Sequence, residues 1–427
     1  MKKILLFALG ASLSLNALAE GYQVNTLSVK QLGMGHTSVS QKLNAESVWF
    51  NPAAAAYQEQ KFSLSAGVTG IMSTATATTK NDYTNPTTTY TTDNDMSTPL
   101  YVYANYKVNK NLALGLSFNT PFGSSMSWGD SWAGSTFVQD ISLTAYTAQP
   151  TISYKMLGGK LSLGAGLMMS WGEYEQSKAL ANDVASVEMS GEAALALGYN
   201  IGIMYDINEK WSVGVSYRSK MTMEVSEGEA EVEYASDAVK EAVYESSSPY
   251  IGIVGAEALM SKGFSASLPL PATLSVGVSY YPTPKWTLST EVQWVQWSAY
   301  ESLDVDFSGI VMSYDKNYSD TFMIRLGGQY QINDWLTGRL GLYIDQSPVS
   351  SDYLNPETPS MTKVGYTCGV SFMPIKSCRG FSIDLAYAYI TSADSERAGY
   401  CTDGTNFFEA TYTATAHVAA VGASWAF

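Results

Sequence analysis

With 427 residues, 39 of them acidic against 24 basic, the chain carries a formal net charge of −15, which excludes a nucleic-acid partner held by charge. Only 15% of residues are charged, and Gly 35, Tyr 29 and Trp 10 describe many short strands and turns rich in aromatics. After residue 19 no run approaches the roughly 20 apolar residues of a spanning helix, so any membrane crossing by this chain has to be made by a closed β-barrel.

Lys2 and Lys3 precede an apolar run from Ile4 to Leu15, and Ala17-Leu18-Ala19 supplies a small-x-small cleavage site. Residues 1–19 therefore read as an export signal, with Glu20 the first mature residue. Without Lys2 and Lys3 the 24 basic residues become 22 against 39 acids, a balance of −17. Residues 20–60 do not alternate. Gly33-Met34-Gly35 interrupts them, and Asn51-Pro52-Ala53-Ala54-Ala55-Ala56 reads as a capped helical turn with proline at a tolerated first position. A stretch of this length, starting in the periplasm ahead of the first strand, is expected inside the barrel as a plug.

Residues 61–427 carry period-two segments near 62–70, 99–108, 111–120, 141–155, 160–172, 197–207, 211–220, 272–281, 286–297, 321–331, 335–345, 363–373, 381–391 and 411–427. These fourteen segments predict an all-β fold, a 14-stranded antiparallel transmembrane barrel. Short turns such as Asn109-Lys110, Asn333-Asp334 and Pro374 to Gly380 alternate with longer loops, as expected with both termini periplasmic. Leu112, Leu114, Leu116 and Phe118 mark a lipid-facing row, as do Leu274, Val276, Val278 and Tyr280. The third segment contains Gly115 and runs into Pro121-Phe122-Gly123, so either the strand is kinked there or Pro121 ends it. The chain closes on Trp425-Ala426-Phe427, the terminal aromatic of an outer-membrane barrel strand.

Three groups of residues carry a further likeness. Gly21-Tyr22-Gln23-Val24-Asn25, Leu32-Gly33-Met34-Gly35 and Glu46-Ser47-Val48-Trp49-Phe50-Asn51-Pro52-Ala53 resemble the N-terminal hatch of the FadL family of outer-membrane long-chain fatty acid transporters. Leu268-Pro269-Leu270-Pro271, Trp294-Val295-Gln296-Trp297 and Tyr343 to Val349 follow in that family's order. The resemblance implies a hatch (Gly21, Tyr22, Asn25, Gly33, Gly35, Asn51, Pro52, Ala53) that gates the lumen. It also implies capture of hydrophobic molecules outside, and lateral release through a gap at the kinked third strand (Gly115, Pro121, Phe122, Gly123).

By strand alternation Arg218, Arg325 and Arg339 point into the lumen, together with Glu291 and Asp384. One of the arginines could hold a fatty acid carboxylate in a bidentate pair, or all three could brace the barrel as an ion-paired lattice. Apolar residues in the longer loops, Leu180 and Val184 after the fifth strand and Ile251, Ile253, Leu259 and Met260 after the seventh, either bind something or pack on each other. The resemblance places the family's outer capture groove on these two loops. Nine acids between Glu224 and Glu257 are solvated, or hold divalent ions with lipopolysaccharide.

Cys368, Cys378 and Cys401 show no metal spacing, and His36 and His417 sit in no nucleophile motif, so no metal, cofactor or enzymatic activity is expected. The reading is a monomeric passive uptake channel in the bacterial outer membrane, in contact with outer-membrane lipid. Its ligand is a hydrophobic small molecule, with long-chain fatty acids first among the candidates. A surface adhesin or receptor using the barrel as a platform is the alternative.

Overall fold

A computed structural model describes residues 21–79, 87–373, 380–393, 397–402 and 407–427. Residues 1–19, read above as an export signal, Glu20, residues 374–379 with Cys378, and the Cys401 side chain lie outside the described residues.

Fourteen strands close into an antiparallel barrel. They are β1 Phe62–Thr79, β2 Leu100–Lys107, β3 Leu112–Ser127, β4 Asp140–Met156, β5 Leu161–Ala181, β6 Ala185–Asn208 and β7 Trp211–Arg218, followed by β8 Thr273–Tyr280, β9 Trp286–Val295, β10 Thr321–Asn333, β11 Leu336–Asp345, β12 Lys363–Phe372, β13 Phe381–Ser392 and β14 Phe407–Ala426. Each pairs with the next, and β1 closes on β14 from Ser63↔Ala426 to Thr78↔Thr411, so the barrel has no open edge.

Alternation explains the wall. Leu116 is 54% exposed and Leu340 70%, both facing outward to lipid, whereas Ser117 and Arg339 beside them are buried inward. Near the short-turn end Trp211 stacks on Tyr280 at 4.3 Å and Trp286 on Tyr330 at 4.6 Å, as in an interfacial aromatic girdle.

Two stretches read as loops are strand. Residues 178–188 are the top of the β5–β6 hairpin, turned over Asn182-Asp183 with Asp183 at φ 59°. The acidic stretch after β7 opens as strand Met221–Tyr234, paired with β6 and with strand Phe264–Leu270. Phe264–Leu270 in turn meets the hairpin Ser302–Phe307/Ile310–Asp315 through Ser265↔Asp306. These pieces stand above the membrane wall as an outer canopy, with helices Asp237–Val243 and Gly252–Met260 on its flank.

Residues 21–57 lie against the inward faces of the strands, and inward glycines make room for them. A Cβ on Gly341 would fall 2.0 Å from the Gly35 nitrogen, and one on Gly214 would fall 2.0 Å from the Val39 carbonyl oxygen. On Gly202 it would meet Asn51 Oδ1 at 2.1 Å, and on Gly164 the Ala53 nitrogen at 2.4 Å. Within the segment Ser28 caps helix Val29–Gly33, and Asn51 caps the 3₁₀ turn Pro52–Tyr57 by accepting from the Ala53 N–H. The Asn51 amide also donates to the Val39 carbonyl at 2.7 Å.

Candidate functional site

Two cavities lie near Tyr22, the outer lined by Tyr22 itself and the inner by the next residues, Gln23 and Val24. The outer one, about 840 Å³ counting space open to solvent, lies under the canopy and is walled by Leu143, Met223, Val225, Phe264 and Tyr300, with Tyr22 at its base. The inner one, about 580 Å³, lies against the N-terminal segment and includes Val24, Phe50, Phe122, Arg218 and Arg325. Tyr22 packs edge-on against Trp297 at 4.9 Å and Tyr300 at 5.7 Å, and its hydroxyl donates to the Pro269 carbonyl. Gly21, at φ +60°, has no room for a side chain, because a Cβ would fall 2.5 Å from the Trp297 ring.

The third strand is kinked, but not at Gly115. Register between β3 and β4 shifts between Asn119 and Phe122, where three steps on β3 match two on β4. Proline explains the position, since Pro121 has no N–H to give the ladder. The freed groups are taken by the N-terminal segment. Val24 N–H donates to the Pro121 carbonyl at 2.9 Å, and Gly123 N–H donates to the Tyr22 carbonyl at 2.8 Å. Gly115 instead makes space for the segment, a Cβ there falling 2.2 Å from Val48 Cγ1. On the lipid side of the bulge Phe118 stacks on Tyr146 at 6.2 Å, and Tyr146 on Trp171 at 6.2 Å.

All three arginines face inward but do not form one cluster. Both terminal nitrogens of Arg325 are engaged. It donates to Glu291 at 2.8 Å, Gln293 at 2.8 Å and Asn25 at 3.1 Å, and Glu291 accepts from the backbone N–H of Ser38 at 2.7 Å and Val39 at 2.9 Å. Arg339 lies elsewhere, over a separate cavity of about 990 Å³ near the short-turn end, bonded to Gln329 at 2.8 Å and Ser371 at 2.6 Å. Arg218 lies 4.4 Å over the Trp49 ring and donates to the Trp49 carbonyl. Its Nε is buried with no hydrogen-bond partner among the described residues. Arg218 also lines the inner cavity.

The loop residues expected to bind ligand pack mainly on one another. Ile253 is buried with Ala185 and Val243, and Leu180 and Val184 rest on that cluster. Met260 and Leu259 join the main core, while Ile251 is exposed. His36 Nδ1 meets Gln31 at 3.2 Å inside the segment, and His417 Nδ1 meets the Tyr387 hydroxyl at 2.7 Å on the outer wall.

Sequence reasoning missed an ion pair in the wall of the outer cavity, between buried Lys316 and half-buried Glu357. Gln176 donates to Glu357 at 3.2 Å, Tyr318 and Thr358 share a 2.9 Å hydroxyl contact, and the Trp128 indole donates to the Pro356 carbonyl at 3.0 Å. Burial pushes the Glu357 carboxyl up, but the charge and hydrogen bond of Lys316, the charge of Lys178 and the Gln176 bond outweigh it and hold the group below the ordinary carboxylate range. Burial likewise pushes Lys316 down, and Glu357 outweighs it to hold the ammonium above its ordinary value. The two residues sit on loops 41 positions apart, and nothing local in the sequence joins them.

The model of outer membrane protein transport proteins (OMPP1/FadL/TodX) matches residues 10–427. The chain belongs to this family. Among its FadL/TodX relatives, the long-chain fatty acid transport protein of Escherichia coli O6:H1 is 22% identical over 412 residues, covering 89% of each chain. A FadL homologue of Pseudomonas aeruginosa superposes with a TM-score of 0.78 at 18% identity, over 95% of this chain and 100% of that one. The toluene transporter TodX of Pseudomonas putida superposes at 0.71 with 14% identity, over 96% and 100%. Family membership places the protein in the outer membrane as a transporter of hydrophobic compounds.

Proposed function

We propose that the protein is a passive uptake channel for hydrophobic small molecules, long-chain fatty acids foremost, and that residues 21–57 act as its gate. One observation carries the reading. Tyr22 forms the base of the outer apolar cavity, and its own carbonyl is bonded to Gly123 in the bulge of β3. Movement of that one residue would join the outer cavity to the inner one and release the bulge for lateral exit. A tail held by Met223, Val225 and Phe264 could pass to the inner cavity, where Arg218 offers its spare donor to a head group. The fatty acid transport relative supports the acid, and TodX supports hydrocarbons. The channel is read as a monomer that needs no catalysis, with its acidic outer surface toward lipopolysaccharide.

Deleting residues 21–56 tests the gate. The ladder closes from β1 to β14 without them, so the barrel is expected to fold and to conduct ions as an open pore in planar bilayers. A folded deletion with the conductance of the intact protein contradicts the gate.

A further inference from the structure

The outer cavity holds one buried cation, and that cation is already taken. Lys316 lines the cavity 4% exposed, and its ammonium is paired with Glu357, which lines the same wall. A third charged residue of the lining, Glu173, is also acidic, so one base stands against two carboxylates. An open groove adjoining the cavity shares Glu173, Tyr174 and Ala193 with it, and adds Glu175, Glu192, Glu224, Glu227 and Glu229. Its field opposes the approach of an anion over a Debye length of about 8 Å.

A second cation acts on Glu357 from outside the cavity lining. Lys178 approaches from the β5 hairpin and its charge helps to hold the Glu357 carboxylate down, while its ammonium donates to the Tyr314 hydroxyl at 3.2 Å and lies 5.0 Å from that ring's centre. The Tyr174 hydroxyl donates to Gln176 at 2.6 Å, and Gln176 in turn donates to Glu357.

We infer that Glu357 is a specificity-determining residue, a built-in counter-ion that makes the outer cavity accept its ligand only in uncharged form. This rests on the reading of that cavity as the place where ligand is first held. The argument is one of exchange. A fatty acid anion reaching Lys316 must displace Glu357, trading one carboxylate for another with no Coulomb gain, and it leaves a carboxylate only 19% exposed without its partner. A hydroxyl, an ester, a hydrocarbon or a protonated acid displaces nothing and keeps the pair whole. Among the described residues that line the two cavities, the cationic side chains beyond Lys316 are Arg218 and Arg325 in the inner one.

The test uses purified full-length protein in nanodiscs with Arg218→Gln in every sample, the wild type at position 357 included, so that the inner cavity's head-group donor does not enter the ratio. A long-chain alcohol and the fatty acid of equal length compete with a fluorescent uncharged probe at about pH 8, well above the ordinary carboxyl range. The wild type is expected to bind the alcohol at least about tenfold more tightly than the acid. Glu357→Gln frees Lys316 and should tighten the acid by about tenfold or more while moving the alcohol by less than about twofold. Glu357→Asp keeps the charge but withdraws it, guards against a Gln variant that does not fold, and should shift the ratio the same way by a smaller factor. Equal binding of both probes by the wild type overturns the role of Glu357 and leaves the uptake reading intact, as does an alcohol-to-acid ratio unmoved in every folded variant. A wild type that binds neither probe overturns the uptake reading, and this inference with it.

Discussion

Glu291 and Arg325 stand directly opposite each other on β9 and β10, 2.8 Å apart, and together they fasten the N-terminal segment to the wall. Glu291 takes the backbone N–H of Ser38 and Val39, while Arg325 reaches Asn25 of the same segment. A buried pair contributes little as a pair, yet removing one partner strands the other charge. Glu291→Ala should therefore loosen the segment, lowering stability by about 3–5 kcal/mol in thermal or denaturant unfolding and raising bilayer conductance. Unchanged values of both would remove this pair as the segment's anchor.

The arginines separate by role. Arg218→Gln should weaken binding of a fatty acid in the inner cavity by about 1.5–3 kcal/mol and affect the matching alcohol much less, because only the ionised head uses the charge. Arg325→Gln should lower stability and leave the acid-to-alcohol ratio unchanged. Arg339→Gln, over its separate cavity, should leave ligand binding alone. Isothermal titration and unfolding of the three variants together decide the assignment.

Gly115→Leu should disturb the segment rather than the lateral exit, since the new side chain runs into Val48. Conductance is expected to rise, with the β3 bulge retained. A variant with silent conductance and lost uptake would return Gly115 to the exit.

The Lys316–Glu357 pair predicts a pH window for the canopy. Glu357 is depressed in the folded state, so its contribution is present above an unfolded carboxyl value of about 4.3 and lost as pH falls through the folded one. Lys316 is raised, so its contribution is present below about 10.4 and lost as pH climbs through its folded value. Trp128, bonded to the carbonyl beside Glu357, reports both limbs. Its fluorescence should be flat from about pH 5 to 10 and change outside that range; a transition near neutrality contradicts the pair's role.

The barrel was legible because each strand carries an unmistakable lipid face, as Leu112 to Phe118 does. The canopy was not. Above the membrane the outward residues of Met221–Tyr234 are glutamates instead of leucines, so the alternation that puts Met221, Met223 and Val225 inside reads as an acidic loop. The inward direction of the arginines followed from the same period of two. Their separation did not, because it depends on strand register, which sets Arg325 opposite Tyr343 but Arg339 opposite Gln329, nearer the short turn. Lys316 and Glu357 meet only through tertiary folding, and no spacing announces them.

The central claim is that hydrophobic molecules pass through the outer cavity, and filling that cavity tests it most directly. Cells displaying wild type or Ala266→Trp at equal surface levels are given a labelled long-chain fatty acid and the alcohol of equal length. Ala266 lines the cavity, and an indole there would occupy the space of the ligand. Uptake above the vector control by the wild type, reduced at least about tenfold for both labels by the tryptophan, is the predicted result. Uptake by the filled variant at the wild-type rate would contradict the account.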